Sequence, residues 1–398
     1  MLQSLTLLVP LTSGQECGKV TEMTQHQASG RRHWTEADIP DLSGRTALVT
    51  GANAGLGLQA ARVLAARGAH VILACRDTAK AAAAGAMIAA TSAGARTSVV
   101  RLDLASQSSV RDAAEQVRDR FPRLDLLINN AGVMEVPAQR TEDGFELTLA
   151  TNHLGPFALT GLLLGRLAPG ARVVTVSSVA HWDGVMDFND PHAERHYDPA
   201  RAYAQSKLAN LLFTYELDRR LRAAGAEAAA LACHPGVVHT GLFATRSRLD
   251  NFLLSQAMRP VNFWVVQDAR MGALPTLRAA TDPSARGGDY FGPHRHGLRS
   301  RFYTGYPEAV PSSARSHDES DQARLWRLSQ ELTGVSYALV LGDASQRGAL
   351  PPRRPALRAG RGGHRGHSRT GRPRLLAGRG EPPPRCHHGG ALPALRRP

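Results

Sequence analysis

The 398 residues suffice for one large α/β domain or two smaller ones, and an apolar content of 42% supplies a packed core. A net charge of +14 would point to an acidic partner, but thirteen arginines stand against only Asp343 and Glu381 in residues 338–398, so the excess belongs to a tail. Cys17, Cys75, Cys233 and Cys386 form no CxxC or Cys/His spacing, which gives no ground for a disulfide framework or a zinc site and suits a reducing cytoplasm.

Residues 1–12 hold an apolar run from Leu5 to Val9 that lacks a basic flank, is broken by Pro10 and is too short to cross a bilayer. Neither a signal peptide nor a membrane span is expected. Met23 is a second candidate start, and the polar composition up to Pro40 predicts that residues 1–40 form a disordered extension adding nothing to the fold. Residues 41–337 are expected to be the folded domain.

From Leu42, short apolar runs alternate with helical stretches. Arg45 to Thr50, Ala69 to Ala74, Val99 to Leu102, Leu124 to Ile128, Ala171 to Val176 and Ala228 to Ala232 read as buried strands. Helices are predicted from Leu56 to Arg67 and near 77–91, 106–120, 143–166 and 201–224. This alternation predicts βαβ units and an α/β fold with a single doubly wound parallel sheet and helices on both faces. Ligands of such sheets bind beyond the carboxyl ends of the strands.

The first strand ends in Thr50-Gly51-Ala52-Asn53-Ala54-Gly55-Leu56-Gly57. Glycines between a strand and a helix permit a tight turn, let the backbone approach a pyrophosphate and bring the helix close to the sheet, while the helix N-terminus offers free N–H groups. The second strand ends Ala74-Cys75-Arg76, with no carboxylate at its tip to accept from a ribose hydroxyl. A guanidinium there suits the 2′-phosphate of NADP in preference to NAD, and Asp77 reads as the cap of the next helix. Asp103, after the third strand, is placed either to meet the adenine edge or to cap the helix near 106.

Asn129-Asn130-Ala131-Gly132 closes the fourth strand, where amides can bridge neighbouring strands and Gly132 leaves room for a cofactor. Pro156, lacking an N–H, should kink its helix and free the Asn152 carbonyl for an ordered water. Ser177 and Ser178 end the fifth strand with hydroxyls that can donate to a substrate carbonyl. Tyr203 and Lys207 then lie four apart on one helical face, where an ammonium beneath a phenol should lower its pKa and fit it for proton transfer.

In this order, TGANAGLG, NNAG, Asn152, the serine pair, YAQSK and His234-Pro235-Gly236 resemble the short-chain dehydrogenase/reductases across residues 42–337. ILACRD, TNHLGPFALT and YAQSKLANLLF are similar to the retinol dehydrogenase-like branch, and to the light-dependent protochlorophyllide reductases. The resemblance implies a Rossmann fold with Tyr203 as acid/base and Lys207 tuning it and binding nicotinamide ribose. Ser178 would orient the substrate oxygen and Asn152 hold a relay water. Gly51, Asn53, Gly55, Leu56, Gly57, Arg76, Asp103, Asn130, Ala131, Gly132, Pro235, Gly236 and Val238 would line the cofactor, with Thr240 bonding the carboxamide. The twenty-five residues from Ser178 to Tyr203 exceed the usual offset, as in that branch. They contain a decoy, Tyr197, whose partner four on is Arg201 and not a lysine.

In the family that the chain resembles, the apolar segment from Leu242 to Val266 folds over the active site, and an apolar lid there would imply a lipophilic substrate; packing of these side chains against the body of the domain is the alternative. Asp289 to Gly292 reads as the last strand and Asp318 to Leu332 as a final amphipathic helix. Beyond Tyr337 there is no Phe, Trp or Tyr, which leaves little stacking platform for nucleic acid; the readings preferred are an inert disordered tail or out-of-frame translation. The expected activity is hydride transfer between NADP and a lipophilic alcohol, aldehyde or ketone, with no specific nucleic-acid partner and a homo-oligomer left open. A non-catalytic NADP-binding regulator is the rival, but it has no need of Ser178, Tyr203 and Lys207 together. Deleting residues 338–398 should leave turnover and melting temperature unchanged while lowering the pI sharply; loss of either on truncation would show that the segment serves the domain.

Overall fold

Successive side chains of each strand point to opposite faces of one sheet, and because helices cover both faces the central strands are buried along almost their whole length. The computed structural model describes residues 33–237, 267–294 and 304–339. The strands are β1 (Thr46–Thr50), β2 (His70–Cys75), β3 (Arg96–Arg101), β4 (Leu124–Asn129), β5 (Leu167–Val176), β6 (Ala229–Cys233), β7 (Tyr290–His294) and β8 (Tyr306–Ala309). Their order in the sheet is β3-β2-β1-β4-β5-β6-β7-β8, parallel throughout except for the β7–β8 pair. The helices are α1 (Gly55–Ala66), α2 (Thr78–Thr91), α3 (Gln107–Arg120), α4 (Gly155–Leu163), α5 (Pro199–Ala223), α6 (Ala269–Thr281) and α7 (Glu319–Thr333). Ala47 and Val49 of β1 join one core with α1, α2 and α6; Leu48 between them joins the other with α3, α4, α5 and α7. The expected α/β architecture is present.

Several boundaries differ from the sequence reading for local reasons. The 143–166 stretch is not one helix. A single α turn, Leu147–Leu149, passes into a π-helical turn, Ala150–Leu154, before α4, and the Gly155 N–H reaches back to the Ala150 carbonyl. Pro156, in the first turn of α4, cannot donate, so the ladder widens just ahead of it. The stretch Leu147–Arg166 has the length and hydropathy of a membrane-crossing helix, yet 72% of its apolar 18-residue window is buried within the fold. β7 is not the last strand: β8 pairs with it from Phe291↔Ala309 to His294↔Tyr306. With Pro307 inside it, β8 reads poorly as a strand in sequence; at a sheet edge proline is tolerated.

The expectation that residues 1–40 add nothing to the fold is corrected for their last eight. Thr35 and Asp38 form a capping box around the 3₁₀ turn Glu36–Asp38, Ile39 is buried in the core, and the His33 ring stacks on Tyr306 at 4.2 Å. At the other end Leu339 packs against the core, so a truncation that spares it ends after that residue.

Phe157 of α4, fully buried, is the centre of an aromatic cluster, with ring centroids of Trp326, Tyr337 and Phe213 at 5.2, 5.0 and 5.6 Å. The Tyr337 hydroxyl donates to its carbonyl at 2.7 Å, which ties the segment after α7 to α4. Phe157→Ala should therefore cost about 3–5 kcal/mol of stability, read as a lower guanidinium midpoint at unchanged slope.

Candidate active site

The loop after β1 is built by three glycines with different duties. Gly51 (φ +67°) and Gly55 (φ +54°) hold left-handed conformations that favour glycine. Gly57 is set by space: a Cβ there would run into the Gly51 carbonyl and stand 2.5 Å from Asn130 Nδ2. Ala54 caps α1 without a side-chain acceptor, so the N–H groups of the first turn face outward for an anion. Thr50 fastens this loop to β4, because its Oγ1 accepts the Asn130 and Ala131 N–H groups, each at 3.0 Å, and its carbonyl accepts from Asn130 Nδ2 at 2.8 Å. Asn129, by contrast, turns to Thr160 on α4.

A cleft of about 970 Å³ opens at the carboxyl ends of the strands. Gly51, Asn53 and Gly55 to Gly57 form one wall, Asn130 to Gly132 the floor, and Pro235 and Gly236 the far side; Ser178, Tyr203 and Lys207 line the same space. The exposed Arg76 lines it too, with no hydrogen-bond or ion-pair partner among the described residues, while Asp77 is spent on α2, accepting the Lys80 N–H at 3.0 Å. The cleft thus fits a dinucleotide: a backbone cradle too tight for a side chain, free helix N–H groups and an unpaired guanidinium at the tip of β2. Asp103 is not part of the lining. Its carboxylate accepts the Ala105 N–H at 3.0 Å, holding the turn before α3, and the helix cap expected of it is Ser106 instead. Val238, Thr240 and the 242–266 segment lie outside the described residues.

Tyr203 and Lys207 share one face of α5, with Nζ 5.6 Å from the ring centroid. The ammonium is nearly fully buried and donates to the Val176 carbonyl at 3.1 Å, while Ser177 Oγ donates to the Lys207 carbonyl at 2.8 Å. Burial brings Lys207 down to about 8. The Tyr203 phenol, expected to be lowered, is instead raised: burial pushes it up, the Glu135 carboxylate adds to the rise, and a hydrogen bond with Ser178 opposes it. The lysine's contact is with the strand and not with the phenol oxygen, which is why the expected lowering does not arise from the fold itself. Ser178 Oγ accepts the Ala180 N–H at 3.2 Å, leaving its own proton to donate.

Asn152 lies beside the cleft and not in its lining. Its Oδ1 accepts the Val133 N–H at 2.8 Å, and its amide hydrogens go to the Val133 carbonyl and Ser206 Oγ at 2.9 and 3.0 Å. The amide therefore fixes the segment after Gly132. Tyr197 proves to be a brace, donating to the Val136 carbonyl at 2.9 Å. Missed in the sequence were Gln267, whose side chain and N–H clamp the carbonyls of Pro235 and Val237, and Asn210, which shares the Val176 carbonyl with Lys207. Asn210 had a signal, since it lies three positions beyond Lys207 on the same helix; Gln267 had none. Glu135, Asp183 and Arg201 also line the cleft.

Gly57→Ala tests the cradle. Overpacking there should cost about 1–3 kcal/mol, weakening NADPH binding by about ten- to a hundredfold in a titration of nicotinamide fluorescence. Unchanged affinity would mean that the loop does not hold the phosphates.

A family model described as short chain dehydrogenase matches residues 45–250. Retinol dehydrogenase 13 of Homo sapiens is 38% identical over 338 residues, covering 84% of this chain and 97% of that protein; retinol dehydrogenase 12 of Homo sapiens is 41% identical, covering 74% and 88%. Among solved structures, an uncharacterized protein from Mycobacterium Paratuberculosis is 43% identical with a TM-score of 0.64, over 77% of this chain and 100% of that one. With a backbone cradle at one end of its cleft and Ser178, Tyr203 and Lys207 at the other, the chain belongs to the short-chain dehydrogenase family, in its retinol dehydrogenase-like branch, and is an NAD(P)-dependent oxidoreductase.

Proposed function

We propose that the protein interconverts a lipophilic alcohol and its aldehyde or ketone with NADP as the preferred cofactor. The observation that carries this reading is the meeting of Ser178, Tyr203 and Lys207 in one cleft with the glycine cradle and the unpaired Arg76. When bound, the nicotinamide supplies or accepts the hydride. Tyr203 gives a proton to the substrate oxygen in reduction and takes it back in oxidation, and Ser178 donates a hydrogen bond to the same oxygen. Lys207 holds the nicotinamide ribose and places positive charge beneath the phenol. Asn152, its amide hydrogens already committed, acts through its main-chain carbonyl as the seat of a relay water. Val133, Met134 and Val179 give the cleft apolar walls, and the retinol dehydrogenase names of the relatives agree with a lipophilic substrate. The buried free thiols Cys75 and Cys233 suit a cytoplasmic location.

The rival of a non-catalytic cofactor sensor is not favoured, since it leaves a buried ammonium beside a phenol without a use. NADPH oxidation with a panel of aliphatic and polyene aldehydes and ketones tests the reading directly. Tyr203→Phe should lower turnover about 10²–10⁴-fold with NADPH affinity nearly intact, and Lys207→Ala should damage both. Arg76→Ala should raise KM about ten- to a hundredfold for NADPH and little for NADH; a wild-type preference for NADH would remove NADP from the proposal.

The pH dependence follows from the two directions. Tyr203, raised, keeps its proton through neutral pH, so reduction should not lose its acid there. Lys207, lowered to about 8, is charged below that pH and neutral above it, so NADPH binding should weaken as pH rises through 8. Affinity flat to pH 10 would take the ammonium out of cofactor binding.

A further inference from the structure

His181 stands three residues after Ser178, in the 3₁₀ turn Val179–Trp182, and its ring is fully buried. Its Nδ1 lies 2.7 Å from the Ser178 carbonyl oxygen, and its Nε2 receives the Ser313 N–H at 3.1 Å. Tyr290 of β7 meets the ring edge-on, with centroids 5.5 Å apart. Burial lowers the imidazole, and the hydrogen bond to Ser178 opposes it, so the ring is neutral at physiological pH.

A main-chain N–H can only donate and a carbonyl can only accept. Nε2 is therefore the acceptor and Nδ1 carries the proton. Turning the ring over would set carbon atoms at both contacts, so one tautomer and one orientation satisfy the site. Both oxygens of Ser178 are held by this turn: its carbonyl also accepts the His181 main-chain N–H at 3.1 Å, and its Oγ accepts the Ala180 N–H. The segment that meets Nε2 clamps the far end of the turn as well, since Arg315 Nη1 donates to the Gly184 carbonyl at 3.0 Å. Gly184 lies so close to α5 that a Cβ there would stand 2.7 Å from the Ala204 carbonyl. Ser312, next to Ser313, is bonded at 2.8 Å to the Tyr215 hydroxyl of α5. Residues 178–184 are thus held between α5, which carries Tyr203 and Lys207, and the 3₁₀ turn Ala314–His317 after β8.

We propose that His181 is a positioning residue: tied to Ser313, with Arg315 clamping the far end of the turn, it holds Ser178 in register with Tyr203. Ser313 and Arg315 are not in the lining of the cleft, yet through this ring the segment after β8 takes part in setting its geometry. The inference rests on the role given above to Ser178.

Two amide variants of the full chain separate the contacts, with kcat for NADPH oxidation by octanal and NADPH affinity by fluorescence titration as readouts. The asparagine amide reaches as far as Nδ1 and can still donate to Ser178; the glutamine amide reaches as far as Nε2 and can still accept from Ser313. His181→Asn should keep kcat within about threefold of wild type, and His181→Gln should lower it about ten- to a hundredfold, both with NADPH affinity unchanged. Equal losses of kcat that follow melting temperature, or a better rescue by glutamine, overturn the proposal. Should His181→Gln not fold, the exposed Arg315→Ala takes its place: kcat about threefold lower at unchanged NADPH affinity is expected, and wild-type kcat overturns the clamp. Ser178→Ala is measured alone and combined with whichever of these two variants is used. If Ser178→Ala retains full turnover, the reading of Ser178 fails and takes this inference with it. If it is impaired, the second substitution should cost nothing further, and a full additional loss overturns this inference alone.

Discussion

Lys207 is a cation almost wholly removed from water, and the site depends on how that burial is made tolerable. A buried ammonium without hydrogen bonds would be several kcal/mol too costly to keep charged. Here the fold supplies the end of β5: the Val176 carbonyl takes the Nζ proton, Ser177 ties back the Lys207 backbone, and Asn210 braces the shared carbonyl. The desolvation that remains is felt as a depressed pKa. Because α5 is thereby pinned to the strand end, Tyr203 one turn earlier has its place, and with it Ser178, the next residue but one after Val176.

The cofactor end of the cleft obeys a different constraint, steric and not electrostatic. Gly57 packs its α-carbon where no side chain fits, and Thr50 and Asn130 knit β1 to β4 with four polar groups, so the loop is held from behind while its N–H groups face outward. Both ends lie at the carboxyl edge of the same parallel strands, which is where a doubly wound sheet leaves its crevice. Asn152 joins them, since its amide holds Val133 just after the cradle floor and meets Ser206 beside Lys207.

The cleft also shows why a phenol and a lysine at helical spacing do not by themselves make an activated acid. Spacing brings Nζ to the ring's neighbourhood, but burial of both groups works against ionisation of the phenol, and the Glu135 carboxylate adds to that. In the direction of carbonyl reduction this is an advantage, because the acid must arrive protonated.

Much of this was legible in the chain. The order of strands and helices, the glycine loop, the Ser178, Tyr203 and Lys207 set, and the dismissal of Tyr197 follow from local pattern: short apolar runs between helical stretches, glycines between a strand and a helix, a tyrosine and a lysine four apart, and an arginine where a lysine is needed. What local pattern could not decide were contacts between residues distant in sequence. That Ile39 enters the core, that β8 adds to the edge, that Asp103 caps a turn and leaves the cleft, and that Gln267 clamps the Pro235 segment all depend on which surfaces meet after folding. The same holds for charge. Spacing told which groups would be neighbours, but the phenol's rise and the lysine's fall depend on how much water the assembled sheet and helices exclude, a quantity that exists only once the tertiary structure has closed around them.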